Sequence, residues 1–74
     1  MEKVSLRDGE EFIKLGQAMK KAGCVGSGVD AKMIIQEGDV LVNNEPEDRR
    51  GRKLFENDTF RFEGVTYQVV KEWS

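Results

Sequence analysis

Histidine is absent from this chain of 74 residues, and cysteine and proline occur once each, as Cys24 and Pro46. Without histidine, and with a single thiol, zinc sites built from His or Cys pairs are excluded, as are Ser-His-Asp and Cys-His catalysis. One cysteine rules out an internal disulfide, which suits a reducing compartment. Cys24 reads most simply as a small buried hydrophobe. Long apolar runs are missing too. Stretches such as Met33-Ile34-Ile35 and Val40-Leu41-Val42 fall far short of the about 20 residues that span a bilayer. Glu2 and the Arg7-Asp8 pair interrupt the N-terminal stretch that a signal peptide would need, so a cytoplasmic location away from membranes is expected. At this length we expect one domain over residues 1–74, with a modest core.

Charge is what the chain has in quantity, and it is unevenly placed. Charged residues make up 35% of the sequence, yet the net charge is only -2. Four of the five residues from 49 to 53, namely Arg49, Arg50, Arg52 and Lys53, are basic. Without them 8 basic residues (12 less 4) face 14 acidic ones, a balance of -6. Like charges so concentrated repel, and either nearby acids or a polyanionic partner must offset them.

Periodicity gives the element order. Val4 and Leu6 alternate with polar neighbours, which predicts a short strand. Asp8 with Glu11 resembles a capping box opening a first helix, and Phe12, Leu15, Met19 and Ala22 follow helical spacing to Gly23. Gly16, inside that helix, suggests close backbone packing. Ser27 and Asp30 open a second helix, with Ala31, Ile34 and Ile35 as its buried stripe and Gly38 as its stop. From Val40 the period changes to two. Turns are expected at Asn43-Asn44, Asn57-Asp58 and Glu63-Gly64, a loop from Pro46 to Lys53 anchored by Leu54, and strands around Phe60-Phe62 and Val65-Val69. A strand, two helices and three strands imply an α+β fold: a two-helix hairpin packed on a small, mostly antiparallel sheet. Phe12, Phe60, Phe62 and Tyr67 fall on core positions, whereas Phe55 and Trp73 do not.

The run from Gly23 to Asp58 has a recognisable shape. Ser27-Gly28 precedes Ala31-Lys32, Ile35-Gln36-Glu37-Gly38-Asp39-Val40 runs into Val42-Asn43-Asn44-Glu45, and Arg49-Arg50-Gly51-Arg52-Lys53-Leu54 follows before Asn57-Asp58. Together these resemble the S-four RNA-binding domain, above all a bacterial subgroup in which that domain is nearly the whole of a short protein. The resemblance spans about residues 4 to 70. It implies the alpha-L RNA-binding motif and contact with structured RNA through a basic face. Asn44 and Asn57 stand where the family usually has glycine, and asparagine is the next most tolerant residue for positive φ. Val29 stands where this subgroup commonly has glycine.

Arg49, Arg50 and Arg52 supply planar forks for phosphate, and Lys53 adds a point charge, so the loop can follow a phosphate backbone without reading bases. The opposing reading is internal neutralisation by Glu45, Glu47 and Asp48. Lys32 sits near a helix N-terminus, where backbone N–H groups favour anions, and Ser27 can add a donor there or simply cap the helix. Lys20 and Lys21 extend the patch or only complement the helix dipole. Phe55, beside the loop, is a candidate for stacking a nucleotide. No nucleophile, base or metal constellation emerges, and no cofactor is expected. The expected function is therefore non-catalytic binding of structured RNA, with ribosomal RNA the candidate, by a ribosome-associated monomer. The alternative is an adaptor that docks its basic loop on an acidic protein.

Overall fold

The computed structural model describes residues 1–71, so Trp73 lies outside the described residues. Nine elements follow one another: β1 (Glu2–Leu6), β2 (Phe12–Lys14), α1 (Leu15–Lys21), α2 (Gly28–Gln36), β3 (Val40–Val42), β4 (Glu45–Pro46), β5 (Lys53–Phe55), β6 (Thr59–Phe62) and β7 (Val65–Lys71). Five strands form a sheet in the order β1-β7-β6-β3-β4, and β2 pairs with β5 in a separate two-stranded ribbon. Among the described residues, only the β1–β7 pairing is parallel. It sets Val4 beside Val69, and both are buried. The expected α+β architecture, two helices with a mostly antiparallel sheet, is the one observed.

Local chemistry explains the turns. Asn43 and Asn44 take φ of 50° and 69°, and Glu63 and Gly64 take 51° and 79°. Two consecutive positive values define the hairpin turn whose twist matches its flanking strands. Asn43 does more than turn the chain. Its side-chain oxygen accepts the Thr59 N–H at 3.0 Å, and its amide donates to Asp58 at 3.3 Å, tying the β3–β4 hairpin to β6. Pro46, expected in a loop, lies on the edge strand β4, where a missing N–H costs no ladder bond. Ser27 caps α2 as expected, its hydroxyl oxygen accepting the Asp30 N–H at 3.2 Å.

The first helix departs from expectation. Asp8 caps nothing. The chain turns at Asp8-Gly9, where Glu10 folds back to accept the Arg7 N–H at 2.6 Å. Phe12, Ile13 and Lys14 are then extended and pair with Phe55, Leu54 and Lys53. Aromatic and β-branched residues suit such a half-buried ribbon, and its long-range pairing overrides the helical spacing. The α-helix starts only at Leu15, with Lys14 at its N-cap and no side-chain cap. Phe12 consequently leaves the core. Phe60 and Tyr67 stack at 4.8 Å between centroids on the sheet, whereas Phe12 stands half-buried on the ribbon. Ile13 and Leu54, pointing the other way from the ribbon, join Leu15, Met19, Ile35 and Val40 in the core.

Candidate nucleic-acid interface

The ribbon and the first turn of α1 together hold the basic loop. The opening N–H groups of a helix have no partner inside it. Here Leu15 N–H donates to the Arg52 carbonyl at 2.8 Å and Gly16 N–H to the Arg50 carbonyl at 3.0 Å. The loop backbone is thereby fixed on the helix end. Gly16 packs against Arg50: a Cβ there would meet Arg50 Cγ at 3.4 Å, an ordinary contact with no room for further bulk.

Glu47 organises the loop from within. It is the one charged residue in the buried set of the described residues, only 6% exposed. Its carboxylate accepts the N–H groups of Asp48 and Arg49, the Arg49 guanidinium through Nε at 3.1 Å and Nη2 at 3.2 Å, and Arg52 Nη1 at 2.8 Å. The Arg49 side-chain hydrogen bonds hold the Glu47 carboxyl down at about 2, with Arg52 helping and burial opposing. The same contact raises the Arg49 guanidinium above its ordinary value. Of the three acids expected to neutralise the loop, only Glu47 forms ion pairs with its cations among the described residues. One carboxylate against two arginines leaves net positive charge. Arg50 and Lys53 have no carboxylate partner among the described residues.

Arg50 instead faces a groove. Lys14, Gly16, Gln17, Lys20, Gly28, Arg50 and Gly51 line a hollow of about 470 Å³ with no acid in its wall. An adjoining hollow of about 450 Å³ shares Gln17 and Lys20 and adds Arg7, Glu10 and Lys21. The two make a basic stripe along α1. Lys21 Nζ donates to the Ser5 carbonyl at its far end. Gly28, at the first position of α2, also lines the groove, so the N-terminal end of that helix borders it.

Among the expected residues, Arg50 and Lys20 thus meet in the groove and Lys21 continues it. Arg49 and Arg52 form the Glu47 clamp beside it. Lys53 lies on β5, its ammonium 4.8 Å over the Phe12 ring. Lys32 is exposed on α2, one turn beyond Gly28 on the same helix face. Ser27 does its work as the α2 cap. Lys14, Gln17 and Arg7 escaped the sequence reading. Lys14 was hidden by the helical spacing around it, although the alternation Phe12-Ile13-Lys14 also fits a strand. No group of three or more His, Cys, Asp or Glu is placed to hold a metal ion among the described residues, and none of their helices is long and apolar enough to cross a membrane.

Residues 4–70 match the family model of the S4 domain. The chain is 49% identical over 61 residues to the Bacillus subtilis (strain 168) protein named "Probable ribosome maturation protein RlbA", covering 81% of this chain and 86% of that one. It superposes on the solution structure of E. coli YbcJ with a TM-score of 0.68 and 34% identity, over 95% of this chain and 87% of that one. That structure is described as revealing an alpha-L motif involved in RNA binding.

Proposed function

Since this chain belongs to the S4 domain family, we propose that it binds structured RNA, ribosomal RNA being the favoured target, and catalyses no reaction. The observation that carries this reading is the acid-free groove lined by Lys14, Lys20 and Arg50, with Gly28 of α2 at its rim. Phosphate oxygens fit such a site on three counts. Two ammonium groups and one guanidinium attract them, the α2 N-terminus adds backbone donors, and the walls are concave enough to follow a curved backbone. The ion pairs of Glu47 support the same reading. They do not quench the loop, because Arg49 and Arg52 outnumber the carboxylate, and they hold the backbone that presents Arg50.

Work in ribosome maturation within the cytoplasm fits the similarity to the Bacillus protein of that name. The test is affinity for ribosomal RNA fragments as a function of salt. For four to six neutralised phosphates the log–log slope is expected at about -3 to -5. A flat salt response rejects the proposal.

A further inference from the structure

The β2–β5 ribbon presents an outer face that the phosphate groove alone does not explain. Cross-strand partners point to the same side of a ribbon, as do residues two apart on one strand. Phe12 faces Phe55 and Lys14 faces Lys53, while Ile13 and Leu54 turn inward to the core. The outer face is therefore a pair of aromatic rings beside a pair of ammonium groups. Both halves are costly to leave bare. Phe55 is 48% exposed, and like charges directly opposite each other destabilise a ribbon. The rings stand 5.7 Å apart at 51°, and Lys53 leans over Phe12. Lys14 belongs at once to this face and to the groove that holds Arg50.

The geometry points to a site for an unpaired nucleotide: its base stacks on the exposed Phe55 ring, which Phe12 backs from the side, and its phosphate lies by Lys14 and Lys53. This deepens the RNA reading above and rests on it. A duplex cannot use such a site, since its bases are already stacked on each other. A looped-out or terminal nucleotide can, because every base offers a π-face and the adjacent backbone continues into the groove. The ribbon thus directs the protein to a junction between paired and unpaired RNA, duplex phosphates along α1 and one splayed nucleotide on the ribbon.

Two hairpin RNAs with identical stems test this, one with an ordinary loop and one with a loop of abasic ribose phosphates. Affinities are measured for the parent and for Phe55→Leu, Phe12→Leu and Arg50→Ala. The parent is expected to bind the ordinary loop about 5-fold or more tighter than the abasic one, with the leucine variants erasing that difference. Phe55→Leu keeps an apolar side chain at an exposed site, and the Phe55 N–H bond to Asp58 does not depend on the ring, so this variant retains the fold. Equal parent affinity for the two loops, which needs no variant, overturns the proposal. An unchanged preference in both leucine variants overturns it too. Arg50→Ala separates this failure from that of the underlying reading. If the stacking site alone is wrong, Arg50→Ala still weakens binding to both RNAs; if RNA binding itself is wrong, neither RNA responds to any variant.

Discussion

The Gly16 N–H donates to the Arg50 carbonyl at 3.0 Å, and the Arg50 side chain packs over the space where a Cβ on residue 16 would stand. The first turn of α1 and the basic loop are thus one unit, held by main-chain bonds that truncating a side chain leaves in place. Adding bulk at Gly16 tests this contact. Alanine is expected to be nearly neutral, since its Cβ would reach Arg50 Cγ only at 3.4 Å and it gains helix propensity. Gly16→Val places branched methyls into the same gap and is expected to cost about 1–3 kcal/mol. Thermal melting of both variants checks the difference, and equal melting would mean the loop is loosely held.

Glu47 governs stability in acid. Its carboxyl has an ordinary value of 4.5 and is lowered to about 2 in the fold by Arg49 and Arg52. A group whose folded value is depressed stabilises fully above its unfolded value and loses that contribution as the pH falls through the folded one. The parent is therefore expected to lose stability between about pH 4.5 and pH 2. Glu47→Gln is expected to be less stable by about 1–3 kcal/mol at neutral pH, with the gap closing toward pH 2. Urea denaturation of both proteins across that range measures it. A constant gap would show that the carboxylate charge is not what holds the loop.

Arg49 and Arg50 should behave differently although they are neighbours. Arg50→Ala removes a groove cation that has no carboxylate partner among the described residues. It is expected to weaken RNA binding across sequences, lower the salt slope by about 1 and leave the melting temperature nearly unchanged. Arg49→Ala leaves buried Glu47 with Arg52 as its only ion-pair partner, so its main effect is expected on stability. Paired binding and melting curves decide. Equal loss of stability in the two variants would contradict this division.

Glu63 holds φ at 51° in a hairpin turn with no glycine or asparagine at that position to ease it. Glu63→Asn is expected to raise stability by on the order of 1 kcal/mol by relieving left-handed strain. By contrast, Asn43→Ala removes the side-chain bonds to Thr59 and Asp58 and is expected to cost about 1–2 kcal/mol. Melting measurements on the two variants should therefore move in opposite directions.

Much of this molecule is legible in its amino acids because the deciding interactions are local. The α2 cap at Ser27 and the Asn43-Asn44 and Glu63-Gly64 turns all depend on residues a few positions apart. The first helix departs from its sequence pattern for the opposite reason. Phe12, Leu15 and Met19 fit helical spacing, and nothing nearby in the chain reveals that Phe12 to Lys14 will pair with Lys53 to Phe55. The loop charges differ in another way, since their pairing is local but its choice of acid depends on burial. Glu45, Glu47 and Asp48 are equivalent as letters, but only the one carried beneath the loop meets the arginines.

Composition and short-range pattern by themselves determined that histidine- and disulfide-based chemistry is excluded, that the elements are helix pair and strands, and that positive charge gathers at residues 49 to 53. Only the tertiary structure decided which of those charges remain available, and that Lys14 and Lys20 join Arg50 around one groove. The reason is that turns and caps are settled by neighbours along the chain. Which cations share one groove depends on segments distant in the chain, Lys14 and Lys20 with Arg50, which only the closing of the ribbon onto α1 brings together.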